Sequence, residues 1–341
     1  MQRNRIARTE LTTTALGLGG TGLGNMYTAV DERDAVATVA AAYQAGVRYF
    51  DTAPAYGNGL SEVRLGRALA GYPRHELVVS TKVGYALHPL AEGEAPIALF
   101  ENPLPFGTTY DFSRDAVRRS LDDSMRRLQT DRIDIVWIHD PDESISIDPS
   151  RDPYERNHFR EAMDQAYPVL DELRRQGAIG AIGVGMNQWQ MLEDFAKAGS
   201  FDCFLLAGRY TLLDQPALAS FLPRCERAGI SVIIGGPYSS GILASGAVPG
   251  ATYNYAPASP EIVARVRRLE AVCARHDVAL PAAALQFPLA HPAVASVIPG
   301  ARSAAELAVN VAHLGRTIPA SFWAELKALQ LIAAAAPVPT A

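Results

Sequence analysis

The sequence has few of the features that mark secreted, metal-binding and membrane-spanning proteins. Its only three cysteines, Cys203, Cys225 and Cys273, are widely spaced and form no C-x-x-C pair, so they suggest neither a zinc site nor a redox motif. No run approaches the roughly 18 apolar residues of a membrane helix, and residues 1–14 lack a signal-peptide core. We therefore expect a cytoplasmic protein with reduced cysteines, no metal and no membrane partner.

An excess of charge of one sign is also missing. The formal net charge is −5, from 31 basic and 36 acidic residues that are interspersed along the chain. Nucleic-acid binding needs a basic patch, so this pattern favours a small molecule as the partner. No linker-like stretch divides the 341 residues, and α/β barrels reach this length as one unit. We expect a single domain over residues 1–341.

Short apolar runs alternate strictly with helical patterns along the chain. The eight runs lie at 15–20, 47–53, 77–83, 133–139, 181–185, 203–208, 231–236 and 295–299. Helical patterns begin near Asp31, Ser61 and Ser113, another covers residues 159–176, and a last one follows Pro319. Eight strands that alternate with helices predict a (β/α)8 TIM barrel with an extra C-terminal helix.

Three connections are longer than ordinary barrel loops, at residues 85–112, 140–158 and 237–259. All three follow strands at the carboxyl-terminal face of the predicted barrel, where they could surround a ligand. A single loop aromatic is more often ordinary packing than a pocket wall, but seven are candidates for that wall. They are Tyr85, Phe106, Tyr110, Tyr154, Tyr238, Tyr253 and Tyr255.

Four polar residues lie at or just past the ends of three of these runs. Asp51 lies near the end of the second run and Tyr56 just after it, Lys82 lies near the end of the third, and His139 ends the fourth. Barrel enzymes keep their chemistry at such ends. A charged lysine would lower the pKa of Tyr56 towards neutrality, and a histidine would orient an oxygen beside it. The set predicts carbonyl and alcohol interconversion, whereas a structural ion pair would explain only Asp51 and Lys82.

A glycine pattern near the N-terminus invites a different interpretation. Gly17, Gly19 and Gly22 satisfy G-x-G-x-x-G, which in a Rossmann unit opens a helix and binds pyrophosphate. The next helical pattern starts only near Asp31, too late for that role. We expect a turn beside the active site instead.

Five segments in register resemble the aldo-keto reductases. They are FDTAPAYGNGLSEVRLGRAL at 50–69, STKVG at 80–84, RIDIVWIHD at 132–140, GVGMN at 183–187 and VIPGA at 297–301. The resemblance covers nearly the whole chain and implies a TIM barrel, a nicotinamide cofactor and a catalytic Asp, Tyr, Lys and His tetrad. That tetrad falls on Asp51, Tyr56, Lys82 and His139 without a substitution.

The same resemblance implies a set of cofactor-binding residues. Asn187 falls where an asparagine contacts the nicotinamide carboxamide, while Met186 and Ala207 replace the serine and glutamine that accompany it in relatives. Asn310 falls where relatives contact adenine. The segment 235–243 falls on the loop over the pyrophosphate, although an ordinary turn would explain it equally well. The further candidates are Gly236, Ser239, Gly241, Leu243, Pro299, Gly300, Arg302 and Glu306.

The turn after the last strand departs from the commonest pattern of the family. Gly300, Ala301 and Glu306 stand where many relatives carry a Lys, a Ser and an Arg that hold the 2′-phosphate of NADPH. A carboxylate repels that phosphate and can accept a hydrogen bond from the free ribose hydroxyl of NAD. We therefore expect NAD in preference to NADP, with Arg302 as the nearby cation that weakens this inference.

Three further segments, at 17–27, 205–215 and 233–243, resemble the branch of the family that oxidises L-fucose and related D-threo aldoses with NAD. Bacterial pyridoxal dehydrogenases are similar in the same segments. We expect oxidation of an aldose at C1 to the lactone, with pyridoxal oxidation and the reverse reduction of aldehydes or ketones as alternatives. The candidate substrate contacts are Met26, Tyr27, Tyr85, Asp140 and Trp189.

Two hypotheses come from other classes of protein. A class I aldolase would use Lys82 as a Schiff-base nucleophile in the same barrel, but the nucleotide-site residues argue against it. Some members of the family sense a cofactor beside a membrane protein without acting as enzymes. The intact tetrad argues against that second hypothesis.

Overall fold

The protein forms a closed barrel of parallel strands in a computed structural model that describes residues 1–143, 152 and 154–340. Each barrel strand pairs with its neighbours in sequence, and the parallel bridges Leu16 to Val297 and Gly19 to Gly300 join the first strand to the last. The predicted TIM barrel is confirmed. The strands, β1 to β8, are Leu18–Gly19, Tyr49–Asp51, Val78–Val83, Ile133–His139, Ile179–Met186, Cys203–Ala207, Ser231–Gly235 and Val294–Ile298.

Helices cover the outside of the barrel, and the last of them is the expected C-terminal helix. Its Glu325 bonds to His276 of a preceding helix at 2.6 Å. A short helix at Phe159–Glu161 and a π-helical turn at Ala162–Ala166 lead into the fourth of the longer helices. The longer helices, α1 to α10, are Glu32–Gln44, Leu60–Leu69, Arg114–Leu128, Tyr167–Arg175, Trp189–Ala198, Phe221–Ala228, Pro260–His276, Leu280–Leu289, Ala304–Leu314 and Ala320–Ala328.

The predicted helix starts at Asp31 and Ser113 are confirmed, because both side chains accept a hydrogen bond from the first turn. The helix predicted near Ser61 is also present, beginning at Leu60, but its N-cap is Gly59 and not Ser61. Ser61 is fully buried, and its hydroxyl donates to the carbonyl of Gly20 at 2.7 Å. A buried hydroxyl needs such a partner, so Ser61 docks α2 against the first barrel loop instead of capping the helix.

The inside of the barrel has its own small core of inward-facing side chains, with Trp137 among the largest. Gly183 on the neighbouring strand makes room for the indole, because a Cβ there would lie 2.5 Å from Trp137 Cζ3. The indole N–H donates to Asp51 Oδ1 at 3.1 Å. Packing inside the barrel therefore orients a carboxylate at its carboxyl-terminal end.

Two of the three long connections contain a β-hairpin. Tyr85–Pro89 pairs with Phe106–Tyr110 after β3, and Thr252–Tyr253 pairs with Ala256–Pro257 after β7. Residues 144–151 and 153 of the third connection lie outside the described residues. Within the part of the chain that is described, no helix has both the length and the apolar character needed to cross a membrane.

Candidate active site

The structure brings the four predicted catalytic residues together at the carboxyl ends of β2 to β4. Lys82 Nζ donates to Asp51 Oδ2 at 2.6 Å and to the Thr52 carbonyl at 2.8 Å. The same nitrogen lies 4.5 Å from the centre of the Tyr56 ring, whose centre is 5.9 Å from that of His139. Both members of the ion pair are at most 2% exposed, so their charges interact in a medium that screens weakly.

Asp51 is held by more partners than the sequence analysis named. Its Oδ1 accepts from Ser80 Oγ at 2.6 Å and from the Trp137 indole N–H. The Tyr49 hydroxyl lies 3.1 Å from the same Ser80 Oγ. A period-two signal was present, because Tyr49 and Asp51 lie two residues apart on β2 and so face the same side of it. Ser80 and Lys82 share a face of β3 for the same reason. Ser80, supported by Tyr49, therefore holds the Asp51 carboxylate in place, and that carboxylate holds the ammonium group of Lys82.

The predicted fall in the pKa of Tyr56 is wrong for this structure. Burial raises the pKa of Tyr56 well above its ordinary value, and the charges of Asp51 and Asp140 raise it further. Lys82, whose ammonium group donates to Asp51 and the Thr52 carbonyl, does not outweigh these effects. Tyr56 is therefore a protonated phenol at neutral pH.

His139 is a neutral imidazole in this site. Burial first, and then the charge of Lys82, hold the pKa of His139 well below its usual range. Its Nε2 lies 3.5 Å from Asp140 Oδ2, and its buried Nδ1 has no partner among the described residues. A neutral ring with Nε2 protonated can donate one hydrogen bond to an oxygen held between His139 and Tyr56.

Three of the predicted substrate residues lie near this pair. Asp140 directly follows His139 with a left-handed backbone, φ 43°, and accepts from the Tyr85 hydroxyl at 3.4 Å. The Tyr85 ring centre is 4.9 Å from that of His139, and its hydroxyl is 2.6 Å from the Tyr110 hydroxyl. Met26 pairs with Phe100, whose ring centre is 6.1 Å from that of Tyr56. Polar and apolar groups thus border the same reaction space.

Of the two other candidate contacts, Tyr27 lines the same cavity as Asp51 and Tyr56, whereas Trp189 is not among the described residues that line it. Tyr27 is 45% exposed, and burial of the remainder raises its pKa to about 12 next to Tyr255. Trp189 begins α5 and packs against the main core. The Tyr154 hydroxyl donates a hydrogen bond at the surface to Asp194, which lies on α5 together with Trp189.

A cavity of about 980 Å³ begins at Asp51 and Tyr56 and extends across the carboxyl-terminal ends of β6, β7 and β8. Gly22 of the first loop forms part of its wall, where a Cβ would lie 2.7 Å from the Ala301 carbonyl. The predicted glycine turn beside the active site therefore agrees with the structure. Nine predicted cofactor residues line the cavity: Asn187, Gly236, Ser239, Gly241, Pro299, Gly300, Arg302, Glu306 and Asn310.

The donors and acceptors along the cavity fit a nicotinamide dinucleotide. Asn187 donates its amide to the Ala207 carbonyl at 2.9 Å, which leaves Oδ1 to accept from a carboxamide. The backbone carbonyl of Ala207 thus orients Asn187, although alanine replaces the glutamine that accompanies this asparagine in relatives. At the other end, Asn310 Oδ1 accepts from Tyr238 at 2.6 Å, which leaves its amide to donate to an adenine nitrogen.

The loop after β7 differs from the prediction in how its polar groups are used. Leu243 is fully buried away from the cavity, and its N–H donates to the Tyr238 carbonyl, so the expected contact from Leu243 is wrong. The Ser239 hydroxyl donates to Thr211 Oγ1 at 3.0 Å. The N–H of Gly241 also bonds to Tyr238, because the chain closes a tight turn here. These groups shape the wall of the cavity.

Glu306 is not a bare carboxylate. Its Oε2 accepts from the backbone N–H of Arg302 at 2.9 Å, and its Oε1 accepts from the Arg302 guanidinium at 2.9 Å. Ser303 caps the same helix by accepting from the N–H of Glu306. Glu306 therefore stabilises the start of α9 and neutralises Arg302 where the two line the cavity.

A barrel of this kind, with this tetrad at one end of a dinucleotide-sized cavity, is typical of an oxidoreductase. The chain belongs to the Aldo/keto reductase family, whose sequence profile matches residues 15–331. It is 39% identical to the pyridoxal 4-dehydrogenase of Microbacterium luteolum over 340 residues, which cover 97% of this chain and 98% of that protein. It is also 39% identical to the D-threo-aldose 1-dehydrogenase of a Pseudomonas species over 332 residues, which cover 96% and 97%.

A solved structure supports the same assignment. The holo form of an aldo-keto reductase from Bacillus halodurans superposes with a TM-score of 0.75 at 25% identity, covering 98% of this chain and 97% of that one.

Proposed function

We propose that this protein oxidises L-fucose or a related D-threo aldose at C1 to the lactone, with NAD as the cofactor and residues 1–341 acting as one catalytic domain. The observation that carries the proposal is the buried cluster of Asp51, Tyr56, Lys82 and His139 at one end of the 980 Å³ cavity. Asp140, Tyr85 and Tyr110 add hydroxyl and carboxylate partners beside it, which suits a polyhydroxylated substrate.

In the proposed reaction the C–H bond at C1 and the anomeric O–H bond break while a C=O bond forms. Tyr56 as phenolate accepts the anomeric proton, and His139 donates its Nε2–H to the same oxygen. Lys82 attracts the developing negative charge of Tyr56, while Asp51 holds Lys82 in place. When bound, the nicotinamide supplies the acceptor for the hydride that leaves C1.

The raised pKa of Tyr56 gives the two directions opposite pH dependences. Oxidation needs the phenolate, so its rate should rise with pH and keep rising through the ordinary tyrosine pKa of about 10. Reduction of an aldehyde or ketone needs the phenol, so its rate should stay level over that range and fall above it. Because its raised pKa keeps Tyr56 protonated at neutral pH, the reductive direction is retained as an alternative.

The proposed preference for NAD rests on Arg302 and Glu306. To bind a 2′-phosphate, the Arg302 guanidinium would have to leave its ion pair with Glu306, whose carboxylate also accepts from the backbone N–H of Arg302. A free ribose hydroxyl makes no such demand and can donate to the Glu306 carboxylate.

Pyridoxal oxidation is the second candidate, favoured by the equal identity of 39% to the pyridoxal 4-dehydrogenase. The two substrates differ chemically, since the pyridine ring calls for stacking surfaces and the aldose for hydroxyl partners. The aldolase alternative would leave the cavity along β6 to β8 without a role, and borohydride trapping of substrate on Lys82 would be needed to support it.

Initial rates of NAD and NADP reduction at a pH of about 9, with L-fucose, D-arabinose, L-galactose and pyridoxal, test the proposal. Turnover of the aldoses with NAD is the expected result. Turnover of pyridoxal alone would move the substrate to the second candidate and leave the catalytic residues as proposed. Inactivity with all four, together with NADH oxidation by aldehydes, would assign the reductive direction instead.

A further inference from the structure

The hairpin after β7 carries one tyrosine into the reaction space. Its tip residues, Asn254 and Tyr255, both have left-handed backbones, φ 51° and 64°, which set the direction of the Tyr255 side chain. The tip is anchored on two sides: Asn254 Oδ1 accepts from Arg209 at 2.6 Å, and the N–H of Tyr255 donates to Ser240 Oγ at 2.9 Å. Tyr253 fastens the base of the hairpin by donating to Asp214 at 2.9 Å.

The Tyr255 hydroxyl lies where the two halves of the site meet. It accepts a hydrogen bond from Asn187 Nδ2 at 3.4 Å, so it adjoins the residue assigned to the carboxamide. Tyr255 lines the cavity together with Tyr56, and its phenol interacts electrostatically with Tyr56 and Asp140. One side chain thus borders both the cofactor end and the reacting end.

The hydrogen of that hydroxyl is not used within the described ranges. A phenol can accept hydrogen bonds and donate one, and Asn187 occupies an acceptor position. No acceptor for the Tyr255 hydrogen lies within hydrogen-bond distance among the residues that the structure describes. Burial raises the pKa of Tyr255, so the hydrogen stays on the oxygen at neutral pH.

We propose that Tyr255 is a substrate-binding and specificity-determining residue that donates its hydroxyl hydrogen to a ring hydroxyl of the aldose. This inference rests on the proposed function, because it names the group that recognises the sugar in that same site. The bond from Asn187 directs the donor, and the anchored hairpin holds it in position. A substrate that lacks the matching oxygen loses this hydrogen bond, so the phenol selects polyhydroxylated hemiacetals over simple aldehydes and alcohols.

The test compares Tyr255→Phe with the wild-type protein on the accepted aldose and on its deoxy analogues, one for each ring hydroxyl. Loss of one neutral hydrogen bond should raise KM roughly 5- to 30-fold and change kcat by less than about threefold. At the ring position that Tyr255 contacts, removal of the sugar hydroxyl should lower kcat/KM of the wild type by about the same factor of 5 to 30. The same deoxy analogue should leave kcat/KM of Tyr255→Phe almost unchanged. The dissociation constant for NAD, from quenching of protein fluorescence, should stay within about twofold.

Tyr253→Phe is the matched control, since it removes a hydroxyl from the same hairpin but one that is bonded to Asp214. A loosened hairpin should raise the dissociation constant for NAD in the control and leave every deoxy penalty as in the wild type. Deoxy penalties that are equal in Tyr255→Phe and in the wild type would overturn the inference. Absence of aldose turnover in the wild-type protein would instead overturn the proposed function, so the two failures are distinguishable.

Discussion

Two buried aspartates occupy opposite ends of the barrel and have opposite surroundings. Asp134 lies at the amino end of β4 and Asp51 at the carboxyl end of β2, and both side chains are 2% exposed. Asp134 accepts from Arg74 at 2.7 Å, from Arg132 at 2.8 Å and from the N–H of Val79 at 2.8 Å. Both arginine side chains reach solvent, 27% and 47% exposed.

The partners of Asp51 reach no solvent. Lys82, Ser80 and Trp137 are all buried, and the lysine lies over the face of Tyr56, which lines the cavity. An ion pair whose partners reach water has a small desolvation cost and chiefly stabilises the fold. A fully buried pair has a large desolvation cost unless good geometry and further hydrogen bonds offset it. The comparison shows that the ion pair itself does not mark a functional site. The buried partners and the phenol facing a cavity distinguish Asp51 from Asp134.

The largest expected effect comes from removing that phenol. Tyr56→Phe should lower turnover by about two to four orders of magnitude, because the proton of the reacting oxygen loses its donor and acceptor. The dissociation constant for NAD should change little, as measured by fluorescence titration. Full activity of Tyr56→Phe would show that Tyr56 takes no part in the reaction. The phenol would then no longer distinguish the surroundings of Asp51 from those of Asp134.

Matched substitutions test the comparison directly. Asp51→Asn leaves Lys82 buried without a counter-charge, so it should cost about 3–5 kcal/mol of unfolding free energy and roughly 100-fold in kcat. Asp134→Asn keeps its arginines in contact with water and should cost about 1–2 kcal/mol without a change in kcat. Urea unfolding and initial rates on both proteins check this. Equal losses of kcat would show that the two ends of the barrel do not differ as described.

Glu306 is an intermediate case, a 42% exposed carboxylate whose ion pair borders the cavity. Glu306→Arg should shift the ratio of kcat/KM for NAD and NADP towards NADP by roughly 10- to 100-fold, because a repulsive group becomes an attractive one. Glu306→Gln, which can still accept from the Arg302 backbone, should give a smaller shift. No shift in either variant would mean that the 2′ position of the cofactor lies elsewhere.

The smallest effect concerns the ionisation of Tyr56. Tyrosinate absorbance of the wild type minus that of Tyr56→Phe should show a phenol that ionises above the ordinary value of about 10 in the cofactor-free protein. Because the charge of Asp51 disfavours the phenolate, Asp51→Asn should lower the pKa of Tyr56. A component that titrates near neutrality in the wild type would restore the original prediction of a lowered pKa.

The sequence by itself determined the barrel and the positions of its candidate catalytic residues. Alternating apolar runs and helical patterns are local properties, and the ends of the eight strands agree with those of the eight predicted runs to within three residues. The polar ends of β2 to β4 then predicted which side chains meet, because the topology of a parallel barrel brings consecutive strand ends to one face. Residues two apart on those strands also carried the signal for Ser80 and Tyr49.

Only the tertiary structure decided how the charges and hydrogen bonds are distributed. The pKa of Tyr56 depends on where Lys82 points and how much water reaches the phenol, neither of which is written in the order of residues. Leu243 was assigned to the cavity by position along a loop, and the turn closed by Tyr238 buried it instead. Tyr255 gained its place from a left-handed hairpin tip and a contact with Asn187, which lies 68 residues earlier in the chain. Burial and long-range contacts are collective properties of the fold, so only the folded chain determines them.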